Sequence, residues 1–192
     1  LRRSNISTGQ IEHILFTHWH GDHAFGFPFL ILDRKYITDT SRDKILALHH
    51  RPGGREYLTS LSKLGFPGSL EDFLESRILW NSEESGILEG TEWSYERFPV
   101  LHTPETDPHG YEFVHESGFR LLHCGDSGPC SEIESRAKGA DVVLLEMGMP
   151  DIGDFPHHHR PSDVIAFWKR FPDTKVLVTC LLYTSDAADE CL

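Results

Sequence analysis

The stretch Thr-His-Trp-His-Gly-Asp-His-Ala-Phe-Gly, residues 17–26, places three imidazoles and a carboxylate within six positions. It follows the apolar run Ile11–Thr17, which predicts a buried strand that delivers these polar side chains to a loop at its carboxyl end. Gly21 allows the sharp turn that brings alternate side chains to one point. Because imidazole and carboxylate groups at this density are costly away from water unless a cation lies among them, the stretch predicts a metal site.

Composition limits the classes of function. The chain has 192 residues, enough for one ordinary domain with a hydrophobic core or at most two very small domains. With 30 Asp and Glu against 18 Lys and Arg, the net charge of −12 argues against a broad surface for duplex DNA. No apolar run approaches the roughly 18 residues that span a bilayer. The four cysteines form no CxxC pair and no disulfide-dense pattern, which favours a reducing compartment and therefore a cytoplasmic location.

The remaining pattern predicts an α/β domain in which helices cover sheets. Leu58, Leu61 and Leu64 are expected to share the buried face of one helix. The expected strands are 44–50, 93–102, 111–115, 119–124, 142–146 and 175–179. The expected helices are 24–33, 55–64, 70–77, 131–138 and 162–171.

The pattern HxHxDH at His18–His23 matches the signature of the metallo-β-lactamase superfamily. From about residue 11 to 179 the chain resembles the branch that contains ribonuclease Z and related phosphodiesterases, including Phe27–Leu32, Arg51–Gly54 and Gly65–Gly68. The resemblance implies a four-layered αββα sandwich. It also implies hydrolysis by a water molecule that two divalent metal ions activate, with zinc expected and manganese or iron as alternatives.

The third ligand histidine of this family is expected at His102. Phe98–His102 ends a strand and Gly110–Phe113 begins the next, as around that ligand in the ribonuclease Z branch. His109 is the alternative. Lactonase and glyoxalase relatives have a second histidine as the ligand where this chain has Thr106.

Leu121–Ser127 matches the family segment Gly-Asp-Ser/Thr, whose aspartate bridges two metals, which implies that Asp126 is the bridging ligand. A carboxylate at the end of a buried strand is costly unless it is paired, which independently supports this role. The alternative is that Asp126 caps the helix that begins near Ser131. Glu146 ends the following strand and is expected to support the ligands from behind. The resemblance assigns one metal to His18, His20 and His102, and the second to Asp22 and His23.

Three adjacent histidines, His157–His159, precede the last predicted helix. Relatives have a histidine here that is near the scissile group, and the spacing to Pro161 favours His158 as the general acid. Asp22 is expected to orient the nucleophile. The alternative for the three histidines is a solvated loop or a helix cap.

Both ends of the chain depart from the family. The last family strand ends in a ligand histidine, whereas Cys180 follows Thr179 here, either as a thiolate ligand or as the start of a foreign tail. Residues 180–192 resemble the translation of a sequencing-library adapter, so that residues 1–179 are expected to form a partial domain. Only 17 residues precede His18, and the first strands of the family are therefore expected to be missing.

The expected function is metal-dependent hydrolysis of a phosphodiester, such as an RNA 3′ end, a cyclic nucleotide or a small diester. The acidic charge and the lack of a recognisable Gly/Pro-rich tRNA-clamping arm argue against tRNA processing. The alternatives are a lactonase or thioesterase on the same metals, and a non-catalytic metal-binding fragment. The expected partner is a small phosphodiester or RNA substrate, with no duplex DNA and no membrane; a homodimer is compatible with this function.

Overall fold

Two sheets organise the part of the chain that the computed structural model describes, residues 6–39 and 44–179. The chain divides into two compact units, Leu1–Glu83 and Glu84–Leu192. Each unit has one of the sheets and a hydrophobic core of its own.

The first unit has a parallel sheet of three short strands in the order β1-β2-β3. Parallel neighbours need crossover connections, and helices provide them here. The strands are β1 (His13–Leu15), β2 (Leu46–His49) and β3 (Ile78–Asn81). The helices are α1 (Gly21–Ala24), α2 (Phe27–Asp33), α3 (Gly54–Gly65) and α4 (Glu71–Ser76), and a π-helical turn, Arg34–Thr38, extends α2.

The buried face of α3 differs from the expected one. Leu58 is completely buried, but Leu64 is 84% exposed, so the prediction that both share one face was wrong. A step of three residues falls about 60° short of a helical turn, and two such steps carry Leu64 about 120° away from Leu58. Ser62, four residues after Leu58, is buried instead.

The second unit has a six-stranded mixed sheet in the order β4 to β9. The first four strands pair antiparallel and the last three pair parallel, with a helix at each parallel crossover. The strands are β4 (Ser85–Ile87), β5 (Trp93–Pro99), β6 (His109–His115), β7 (Arg120–His123), β8 (Val142–Glu146) and β9 (Lys175–Thr179). The helices are α5 (Ser131–Ala137) and α6 (Pro161–Arg170).

The register of β7 and β8 decides where the polar groups of the second unit lie. The two strands run parallel as neighbours, with His123 opposite Leu144. The chain leaves both strands at the same edge of the sheet, because parallel strands have their carboxyl ends on one side. Asp126 follows β7 and Glu146 ends β8, so both carboxylates are delivered to that edge.

The predicted strands are confirmed with small shifts at their ends, whereas β3 and β4 were missed because residues 66–90 show no clear strand pattern. The helix expected over 24–33 is divided, since Pro28 occupies the first turn of α2, where its missing N–H is tolerated. The loop expected after β1 contains the single turn α1. The expectations for residues 180–192, including Cys180, lie outside the described residues. No described helix is long and apolar enough to cross a membrane.

The two leucines of α3 give a matched test of the first core. Leu58→Ala removes a completely buried side chain, and we expect it to lower the free energy of unfolding by about 2–5 kcal/mol. Leu64→Ala makes the same chemical change on an exposed surface, and we expect a change below about 0.5 kcal/mol. Urea unfolding followed by circular dichroism measures both, and equal losses would contradict the placement of the core.

Candidate metal ligands

The signature stretch of the first unit holds its imidazoles close together. Nε2 of His18 lies 3.2 Å from Nδ1 of His20, and the ring centroids of His18 and His23 are 4.1 Å apart. Oδ2 of Asp22 lies 3.3 Å from Nε2 of His23. The structure therefore brings the three predicted histidines together, whereas the predicted ligand Asp22 is exposed and lies beside His23.

Local structure explains this convergence. After β1 the chain stays attached to β2, because the backbone N–H of Phe16 donates to the carbonyl of His49. The backbone of His20 is extended, and the turn of α1 begins directly after it. Trp19 is held from α3, where the Tyr57 hydroxyl donates to its carbonyl oxygen at 3.2 Å and the two rings lie 4.9 Å apart. Anchoring Trp19 fixes the residue between the first two histidines of the signature.

The donor set of this stretch fits a divalent metal ion. Nitrogen atoms of His18 and His20 at 3.2 Å can share one N–H···N hydrogen bond, and in the tautomers with both lone pairs free they can bind the same cation. The hydroxyl of Thr17 lies 3.1 Å from Nδ1 of His18 and can fix the ring with Nε2 available for coordination.

In the second unit, three residues to which the sequence analysis assigned a role at the site meet at the edge formed by β7 and β8. Asp126, Glu146 and His158 each offer one atom to a cluster in which all three atoms lie within 4.8 Å of one another. Nδ1 of His158 lies 2.7 Å from Oε1 of Glu146. Burial raises the pKa of Glu146, while the hydrogen bonds from His158 and from the His159 backbone oppose that shift.

His102 is buried in the second unit with a defined ring orientation. Its Nδ1 lies 2.9 Å from the carbonyl oxygen of His157. A carbonyl oxygen only accepts, so Nδ1 carries the proton and Nε2 is the nitrogen suited to a metal. Its ring centroid lies 4.8 Å from that of His158, which places it beside the carboxylate cluster.

The alternative ligand, His109, has structural partners for both ring nitrogens. Nδ1 lies 3.1 Å from the carbonyl oxygen of Asp107, and Nε2 lies 3.3 Å from the hydroxyl of Tyr111. Coordination by either nitrogen would break one of these contacts. The geometry therefore favours His102 over His109.

Two glycines shape the loop that carries Asp126. Gly125 has a φ of +62°, which favours a residue without a side chain. A Cβ atom at Gly128 would overlap the carbonyl oxygen of Pro156, so the loop can lie against the segment before α6 only with glycine here. Cys130 is the N-cap residue of α5, and Asp126 therefore does not cap this helix.

His159 is the residue of this region for which sequence analysis gave no separate role. It is buried, its Nδ1 lies 2.5 Å from the carbonyl oxygen of Ser127, and its backbone N–H donates to Oε2 of Glu146 at 3.1 Å. Burial lowers the pKa of His159, which keeps the imidazole neutral. The run of three histidines marked the segment, but only the fold separates their contacts.

The chain is similar in sequence to a known protein family and to curated proteins. The Beta-lactamase superfamily domain matches residues 2–179. Ribonuclease Z of Oenococcus oeni is 26% identical over 191 residues, which cover 93% of this chain and 56% of that protein. The chain spans about half the length of the curated relatives it matches.

Two solved structures show the same fold. The metallo-β-lactamase fold protein YhfI of Bacillus subtilis matches with a TM-score of 0.71 and 11% identity, over 97% of this chain and 72% of that chain. Human tRNase Z, short form, matches with a TM-score of 0.70 and 20% identity, over 94% of this chain and 77% of that chain. The predicted α/β metallo-β-lactamase fold is thereby confirmed.

The close approach at Gly128 can be tested by one added methyl group. We expect Gly128→Ala to lower the free energy of unfolding by about 1–3 kcal/mol, because the Pro156 backbone must move to admit the Cβ atom. Gly26→Ala is the control, since its backbone is right-handed helical and no atom lies within 4 Å of the added carbon. We expect that variant to be as stable as the original or slightly more stable. Thermal unfolding measures the stability of both variants. A Gly128→Ala variant as stable as the original protein would contradict the described loop.

Proposed function

Because the chain belongs to the beta-lactamase superfamily, we propose that it is a metal-dependent hydrolase whose substrates are phosphodiesters. The observation that carries this proposal is the folded signature stretch, in which Nε2 of His18 and Nδ1 of His20 converge to 3.2 Å. Imidazole nitrogens that converge in this way, within reach of further His and Asp ligand atoms, support a metal-binding role for this stretch.

We assign the ligands as the resemblance to the family implies. His18, His20 and His102 would hold one metal, Asp22 and His23 would hold the second, and Asp126 would be a ligand of both. Zinc suits a set of imidazoles and carboxylates, while manganese and iron are alternatives that a metal analysis would distinguish. The inclusion of His102 among the ligands is supported by the proton on its Nδ1, which leaves the lone pair of Nε2 for a metal.

Two divalent ions, when bound, would polarise the scissile group and lower the pKa of a water molecule toward about 7. The protein residues have separate tasks. His158 donates from Nδ1 to Glu146, which orients its ring. As the general acid, the ring would carry a second proton on Nε2 and would give that proton to the departing oxygen. Asp22, which is exposed beside His23, orients the attacking nucleophile.

The choice of a phosphodiester rests on the relatives named ribonuclease Z, which act on RNA. A net charge of −12 disfavours extended contact with a polyanion, and we therefore propose a small diester, a cyclic nucleotide or an RNA 3′ end as the substrate. Ester substrates such as lactones or thioesters are the second candidate class, since the same ligand types support both reactions.

A hydrolysis screen tests the proposal. The purified 192-residue chain, loaded with Zn²⁺, is assayed with bis-p-nitrophenyl phosphate, a short RNA, a lactone and a thioester. We expect the phosphodiesters to be cleaved fastest. We expect Asp126→Asn to lower kcat by about 100-fold, because a metal ligand loses its charge while its size is retained.

The matched control is Asp173→Asn, an exposed aspartate in the turn before β9, which should keep the original rate within about twofold. Wild-type turnover by Asp126→Asn would remove this residue from the proposed site. Faster cleavage of the lactone or thioester would replace the phosphodiester proposal. One bound ion per chain without any turnover, measured by elemental mass spectrometry, would favour a non-catalytic metal-binding protein.

A further inference from the structure

The segment His157–His159 makes several hydrogen bonds in the second unit, three of which involve a ring nitrogen of a histidine. The carbonyl oxygen of His157 accepts a hydrogen bond from Nδ1 of His102 at 2.9 Å. The ring of His158 binds Oε1 of Glu146 through Nδ1 at 2.7 Å. The ring of His159 binds the carbonyl oxygen of Ser127, the residue after Asp126. One short segment therefore contacts the surroundings of every proposed functional residue in this unit.

The contact of His159 has one chemical interpretation. Its Nδ1 lies 2.5 Å from the Ser127 carbonyl oxygen, which only accepts, so Nδ1 carries the proton. The side chain is 2% exposed, and a buried carbonyl that loses its donor costs about 1–3 kcal/mol. The bond is thus a strong constraint on the backbone that follows Asp126.

Other parts of Ser127 do not supply this constraint. The residue is completely buried, and its Oγ makes no hydrogen bond within the described residues. The loop is also held one residue later, where the Gly128 N–H donates to the carbonyl of Leu101 at 2.7 Å. Before that point, the Gly125 N–H donates to Nδ1 of His123 at 3.1 Å, and the ring of His159, in the segment that precedes α6, binds the Ser127 carbonyl oxygen.

We propose that His159 is a positioning residue, whose Nδ1–H bond to the Ser127 carbonyl holds the Asp126 carboxylate in the orientation that metal binding requires. This inference rests on the proposed function, because it takes Asp126 as a metal ligand. His159 touches neither substrate nor metal in this proposal. It acts through the backbone of the loop, while its own N–H donates to Oε2 of Glu146 at 3.1 Å.

Two substitutions separate the hydrogen bond from the volume of the ring. His159→Asn keeps an N–H donor close to the position of Nδ1, whereas His159→Leu keeps a similar bulk without a donor. A cavity of about 120 Å³ lies beside the ring, lined by Cys130, Asp163 and Phe167 among others, so a leucine side chain has room to adjust. Zn²⁺ affinity is measured for both variants by competition with a chromophoric chelator.

We expect the Zn²⁺ dissociation constant to rise about 10–100-fold in His159→Leu and to stay within about threefold in His159→Asn. The control is His115→Leu, which changes a half-buried histidine at the turn end of the β6–β7 hairpin, the opposite end from Asp126, and should leave Zn²⁺ affinity unchanged. Equal losses in both His159 variants, or no loss in His159→Leu, would overturn the proposal.

A measurement on the unsubstituted, metal-free chain does not depend on whether the variants fold. Nitrogen-15 NMR of the imidazole reports which ring nitrogen carries the proton, and we expect the Nδ1–H form of His159. The Nε2–H form would overturn the proposal whatever the activity. If the affinities and the tautomer are as expected but no phosphodiester is cleaved, the proposed function fails and the positioning role stands.

Discussion

The burial of carboxylates at the ends of two parallel strands is the constraint on which the second unit depends. Asp126 and Glu146 are both less than a tenth exposed, and a carboxylate removed from water must find donors or a cation. Glu146 receives two donors, the ring of His158 and the backbone N–H of His159. The sheet register brings the two carboxylates to the same edge, since the chain leaves β7 and β8 there.

A second pattern recurs in four of the six histidines that are buried among the described residues, whose rings are oriented by backbone carbonyls. The rings of His50, His102, His109 and His159 each place Nδ1 within 3.1 Å of a carbonyl oxygen. Such a carbonyl fixes the tautomer with the proton on Nδ1, so the role of the residue depends on the group that Nε2 contacts. For His109 that nitrogen meets a tyrosine hydroxyl, which makes a structural residue of it. The same local chemistry therefore yields candidate ligands or core residues, according to which group faces Nε2.

The sequence predicted the features that are local in the chain. The signature His18–His23 lies within six residues, so its convergence follows from one strand end and one turn. The burial of Leu64 was mispredicted because a three-residue spacing drifts around a helix. The role of His159 could not be predicted, since its contact with Ser127 joins residues that are 32 positions apart. Periodicity and spacing carry no information about which of three adjacent histidines meets a given carbonyl.

The position of that histidine segment is in turn set by α6. Arg160 is the N-cap residue of this helix, and its backbone N–H and Nε both donate to Asp163, at 3.0 and 2.9 Å. Proline at the first helical position fixes the backbone where the segment ends. Val164 and Phe167 bury the helix in the core beneath the sheet. Because a capped and packed helix cannot shift without losing these contacts, the apolar core of the second unit determines where the imidazoles of the preceding residues lie.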